Sequence, residues 1–134
     1  MPELPEVEAL TAGPDRRMAG REVARCQLGS FAALKTVDPP LDALVGRTVR
    51  GAERRGKFIA LDTDGLWLVA HLARGGWIRW YEQAPSGPVR PNRSPIVLRV
   101  GLDDGAGFDI TEMGSEKRLA LWVVRALEEI EPLA

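Results

Sequence analysis

The feature that most constrains this chain is a succession of short apolar segments, rich in β-branched and aromatic residues, broken at close intervals by turn formers. Residues 22–28, 48–54, 57–63, 66–72, 77–81, 95–102, 108–111 and 119–125 read as strands. Asp64-Gly65 reads as a tight hairpin turn, and Asp103-Asp104-Gly105 as another. The segment 77–81 is expected to continue the meander, and residues 82–95, with four prolines, read as a loop. Asp38-Pro39-Pro40 ends the first β stretch, and residues 41–45 suit one helical turn. Ahead of the strands, residues 5–17 read as a helix. Pro5 suits its first turn, Glu6 and Glu8 its positive end, and Arg16 and Arg17 its negative end, while Gly13-Pro14 bends or stops it. A closing acidic stretch reads as helix-like. The expected fold is mainly β with flanking helices: a two-layer β-sandwich of antiparallel strands with an N-terminal α-helix. Trp67, Trp77, Trp80 and Trp122 all fall on these strands and are expected in the core, not on a stacking platform for single strands.

Length and composition narrow the function classes. At 134 residues, 45% of them hydrophobic, residues 1–134 suit a single domain with a real core. Eighteen basic residues face 19 acidic ones, for a net charge of -1, whereas a self-sufficient nucleic-acid binder is usually basic. The distribution is uneven, however. Arg47, Arg50, Arg54, Arg55 and Lys57 face only Glu53, while acid gathers near both ends. One positive face on a near-neutral molecule is the result. The lone Cys26 forms no internal disulfide, and with the lone His71 it cannot build a structural zinc site. The acidic, proline-bearing start is not a signal peptide, and no apolar run is long enough to span a bilayer. A monomeric cytoplasmic protein with no membrane partner is the expectation.

Chemistry concentrates in the opening Met1-Pro2-Glu3-Leu4-Pro5-Glu6-Val7-Glu8. Met1 before a small residue is normally removed, which exposes the secondary amine of Pro2. An α-amino group has a reference pKa of about 7.7–8.0, so a sizeable fraction is neutral at physiological pH. It can attack a carbonyl-like carbon, and the product is necessarily a cationic iminium, an electron sink for breaking neighbouring bonds. Glu3 beside it can move protons. A helix start explains Pro5 and Glu6 equally well, but not a second proline directly after Met1.

PELPEVE after the initiator methionine resembles the opening of the formamidopyrimidine-DNA glycosylases. The endonuclease VIII branch opens similarly with a different third residue. Arg54-Arg55-Gly56-Lys57-Phe58 resembles the family's strand-entry segment, whose lysine contacts DNA phosphate near the lesion. The resemblance makes Lys57 that lysine; an ordinary exposed lysine at a strand end is the plainer reading. His71-Leu72-Ala73-Arg74-Gly75-Gly76 resembles the family's His-Leu-x-Met-(small)-Gly, in which the histidine lies near the DNA backbone and the methionine enters the void left by a flipped nucleotide. Arg74 stands at the methionine position, and a buried, hydrogen-bonded histidine remains the alternative for His71. The family's Asp-Pro-Arg-Arg-Phe-Gly is replaced by a longer segment. Aligned on Trp122, it puts Lys117-Arg118-Leu119 at Arg-Arg-Phe. Arg118 would then read the orphaned base and Leu119 would be the apolar wedge. A surface Glu-Lys-Arg cluster is the alternative.

The resemblance implies the N-terminal catalytic domain of a base-excision-repair DNA glycosylase with AP lyase activity. It would remove oxidised bases, of the formamidopyrimidine or 8-oxoguanine type, from damaged double-stranded DNA. Pro2, Glu3 and Lys57 would be catalytic, Glu6 a supporting carboxylate, and His71, Arg74, Arg118 and Leu119 DNA-binding. No cofactor is implied for this chain. The family's helix–two-turn–helix and zinc-finger parts are carboxy-terminal and absent from it, and zinc is expected only there. One wall of a two-domain cleft is expected to bind DNA weakly and to show little activity by itself. Two rivals stand beside this reading: a degenerate paralogue that binds DNA or a repair partner without catalysis, and a β-sandwich interaction module with a coincidental start.

Overall fold

The protein is described here from a computed structural model, which describes residues 19–85, 87–90, 94–114 and 117–133. The expected helix at 5–17, and with it Pro2, Glu3 and Glu6, lies outside the described residues. The strands are β1 (Val23–Leu28), β2 (Gly51–Arg55), β3 (Phe58–Asp62), β4 (Trp67–His71), β5 (Gly76–Tyr81), β6 (Ile96–Leu102), β7 (Gly107–Glu112) and β8 (Ala120–Val124). They form two antiparallel four-stranded sheets, ordered β1-β6-β7-β5 and β2-β3-β4-β8. The second sheet opens as a true meander. Gly56-Lys57 joins β2 to β3, with Gly56 at φ 62°. Asp64 and Gly65, both at positive φ (59° and 109°), join β3 to β4 as the sequence leads one to expect. The meander then stops. β5 pairs with β7 in the first sheet and not with β4, which corrects the expected continuation. The reason is local: residues 72–75 turn the chain out of one layer before the next strand starts.

Alternation along each strand sends one face inward. Ile59, Leu61, Leu68, Ala70, Leu121 and Val123 of the second sheet meet Ile78, Leu98, Val100, Phe108 and Ile110 of the first in one apolar core. The outer face of the second sheet is apolar as well. Ala60, Val69 and Val124 are covered by Leu127, Ile130 and Leu133, with Phe58, Trp67 and Trp122 packed alongside. Those covering leucines and the isoleucine belong to the acidic terminal stretch. It forms two 3₁₀ turns, Leu127–Glu129 and Glu131–Leu133, not an α-helix. Glu129 accepts hydrogen bonds from the N–H groups of Arg125 and Ala126 (2.9 and 3.0 Å) and so pins the first turn.

The tryptophans divide accordingly. Trp67, Trp80 and Trp122 pack against apolar clusters, but Trp77 is 41% exposed. It shares the outward parity of β5 with Arg79 and Tyr81, so its expected place in the core is wrong. Among the described residues no helix is long and apolar enough to cross a membrane.

Candidate functional site

Among the described residues, three connections carry the chain between the layers, from β1 to β2, from β4 to β5 and from β7 to β8, and the last two build the site. Residues 72–75 lead from β4 to β5, and residues 113–119 lead back from β7 to β8. They meet at one end of the sandwich, where the Met113 N–H donates to the Gly75 carbonyl (3.1 Å). Close approach demands the two glycines. A Cβ on Gly75 would collide with the Met113 carbonyl oxygen, and one on Gly76 with that of Leu72. Ala73, at φ 56°, completes the sharp turn that leaves Arg74 exposed. Arg74, Gly75, Glu112 and Arg118 line a pocket of about 230 Å³ at this junction.

Glu112 is the residue that the motif reading missed. Its side chain is buried (3% exposed), and one carboxylate oxygen accepts the N–H groups of Arg118 (2.7 Å) and Leu119 (2.8 Å). Lys117 Nζ donates to the Glu112 carbonyl (2.9 Å). A buried carboxylate is tolerated only with such partners, and here they shape the loop that presents Arg118. No contiguous motif marked it: its part comes from the N–H groups of Arg118 and Leu119 that the fold brings to its carboxylate.

Leu119 lies in the main core at 3% exposure. An outward apolar wedge at this residue is therefore corrected. Its N–H is held by Glu112, and its side chain points between the sheets. The exposed apolar side chain of this loop is Met113, at 65%.

Lys57 and His71 sit at the same end of the second sheet. Phe58, His71 and Ala120 form one row across β3, β4 and β8, and the Leu72 N–H donates to the Lys57 carbonyl (3.0 Å). The His71 ring lies 4.7 Å from that of Phe58. Burial, and after it the neighbouring positive charge of Lys57, hold the imidazole below its ordinary pKa of 6.5. His71 is half-buried, between the two readings that its sequence context left open. Lys57 before β3, His71 ending β4, Arg74 just beyond it and Arg118 just before β8 thus gather at one end, from three separate stretches of chain. Among the described residues, no group of three or more His, Cys, Asp or Glu is placed to hold a metal.

Comparison with known proteins gives this end a context. The family model for the formamidopyrimidine-DNA glycosylase N-terminal domain matches residues 1–114. A formamidopyrimidine-DNA glycosylase of Pelobacter propionicus is 41% identical over 102 residues, covering 75% of this chain and 38% of the relative. One from Variovorax paradoxus is 33% identical over 138 residues, covering 99% of this chain and 50% of the relative. The chain thus spans half or less of the length of these relatives. The fold is similar to that of the Lactococcus lactis FPG (MutM) protein solved with a FAPY-dG-containing DNA. That match has a TM-score of 0.72 and 21% identity, and it covers 97% of this chain and 46% of the other. The family model spans most of the sequence, and the chain belongs to the formamidopyrimidine-DNA glycosylase family.

Proposed function

We propose that this chain is the catalytic half of a base-excision-repair enzyme, a DNA glycosylase with AP lyase activity that removes oxidised bases from duplex DNA in the bacterial cytoplasm. The observation that carries the reading is the gathering of Lys57, His71, Arg74 and Arg118 at one end of the sandwich. Cations on several elements suit a phosphate backbone, and a recess of about 230 Å³ lined by two arginines suits a distorted duplex. Relatives solved with FAPY-dG-containing and abasic-site-containing DNA support the substrate class.

In this reading the neutral Pro2 amine attacks the sugar carbon that bears the damaged base, and the base leaves with the bonding pair and takes up a proton. The attached amine loses its proton, the ring C–O bond at that carbon breaks as its oxygen is protonated, and a cationic iminium links enzyme and opened sugar. The iminium draws electrons as a proton is lost from the adjacent carbon, and the phosphate ester on the next carbon is eliminated. Glu3 moves the protons, Glu6 is a second carboxylate, and Lys57 holds the phosphate. Arg74 and Arg118 support the orphaned base. A zinc finger belongs to the family's carboxy-terminal part, and none of these steps needs it. The isolated chain binds DNA as a monomer and weakly, because the flipped state requires contacts from both walls of the cleft.

The test is borohydride trapping across a panel of oxidised-purine and oxidised-pyrimidine duplexes, using the intact parent protein with Met1 removed. A trapped adduct at Pro2 is expected, and retention of Met1 should abolish it, because an amide nitrogen is not nucleophilic. Binding without an adduct on any lesion would favour the second reading, a catalytically degenerate DNA-binding paralogue. Arg74 at the methionine position and the altered 111–122 segment motivate that reading.

A further inference from the structure

We infer that the outer face of β5 is a track for single-stranded DNA, continuous with the lesion pocket. The inference rests on the proposed function for the choice of DNA as the strand. An open groove of about 570 Å³ runs along this face and shares Arg74 and Gly75 with the pocket at the crossovers. Trp77, Arg79 and Tyr81 line it at alternate positions of one strand, about 6.6 Å apart. That spacing is roughly twice the 3.4 Å step between stacked nucleotides, so it admits a strand whose bases are unstacked.

Each side chain has a distinct part. The exposed Trp77 indole offers a stacking surface for a base. The Arg79 guanidinium lies over the Tyr81 ring, 5.1 Å from its centroid, which holds a planar cation in place on the open face. The acid of the groove, Asp109, is already neutralised. Arg99 Nε and Nη2 donate to its two oxygens (2.7 and 2.9 Å), and the Tyr81 hydroxyl donates to one of them (3.0 Å). Arg74 and Arg79 therefore leave the groove positive, complementary to phosphate. Among the described residues that line it, this face has a stacking ring, a propped guanidinium and no uncompensated acid, which suits an anionic strand with exposed bases.

The experiment titrates the 134-residue chain with fluorescent, undamaged oligothymidylate across a range of salt. Binding is expected at low salt. Trp77→Ala should weaken it about five- to 150-fold, and Trp77→Phe should restore much of the loss. Arg79→Gln should lower the slope of log affinity against log salt by about 0.7, the share of one phosphate, a change that a merely structural role would not produce. Failure of the wild-type chain to bind, or wild-type affinity and slope in both variants, overturns the inference. Self-association that Trp77→Ala abolishes, with no oligonucleotide bound, would make a second copy of the chain the occupant and overturn it as well. No chemistry enters this titration. A chain that binds the oligonucleotide while its intact parent protein, freed of Met1, never traps a lesion sinks the glycosylase reading and leaves the track standing.

Discussion

The two sheets bury their inner faces alike and treat their outer faces oppositely. The outer face of β2-β3-β4-β8 is apolar and is closed by Leu127, Ile130 and Leu133. That of β1-β6-β7-β5 carries a buried ion pair, Arg99–Asp109, with side chains 8% and 2% exposed, flanked by Tyr81 and the open groove. An apolar face must be covered by chain, whereas polar groups can be buried only when their charges are satisfied, as in this ion pair, and can line an open groove beside it. The difference teaches where function can sit. The apolar outer face is committed to stability, and the groove along β5, with the crossovers at its end, is available for recognition.

Removing one partner of the ion pair should break the comparison most severely. Asp109→Ala leaves a buried guanidinium uncompensated and should cost about 3–5 kcal/mol in denaturant unfolding. The double change Arg99→Met, Asp109→Leu should recover most of that loss, because a buried pair replaced by apolar groups is often neutral. If the single variant unfolds like wild type, the charged face is not structural.

On the opposite side, Leu127→Ala should cost about 2–3 kcal/mol, since a short terminal turn can partly collapse into the space it leaves. Exposure of the Trp67 and Trp122 face would appear as increased binding of a hydrophobic dye, a response that Trp77→Ala should not give. At the junction, Glu112→Gln keeps an acceptor oxygen but loses the charge on two hydrogen bonds. The expected cost is about 1–2 kcal/mol. Faster hydrogen exchange at the Arg118 and Leu119 amides would locate the effect; unchanged exchange would contradict the role given to Glu112.

The smallest effect concerns His71, the only histidine in the chain. Its folded pKa lies below 6.5, mainly through burial and secondarily through Lys57. The fold therefore prefers the neutral ring. Its contribution is intact above pH 6.5 and declines as pH falls from there through the folded value. Proton NMR should find a midpoint below 6.5, and Lys57→Met should move it upward only part of the way. A midpoint unmoved by that change would separate Lys57 from His71 and weaken the shared site.

Much of the architecture was legible because strand alternation and turn chemistry are local. The Asp64-Gly65 and Asp103-Asp104-Gly105 turns, the strands between them and the sandwich itself follow from which side chains alternate and where φ must be positive. The opening residues and the Lys57 and His71 segments carried the family, because those motifs are contiguous in the chain. The sequence could not decide which sheet β5 would join, since residues 72–75 permit either a hairpin or a crossover and only packing of the layers selects one. For the same reason Trp77 and Trp80, three residues apart in the chain, met opposite fates, and Leu119 went inward while Met113 stayed out. Glu112 acquired its part only when two crossovers met, because a buried carboxylate takes its meaning from the N–H groups that tertiary structure brings to it.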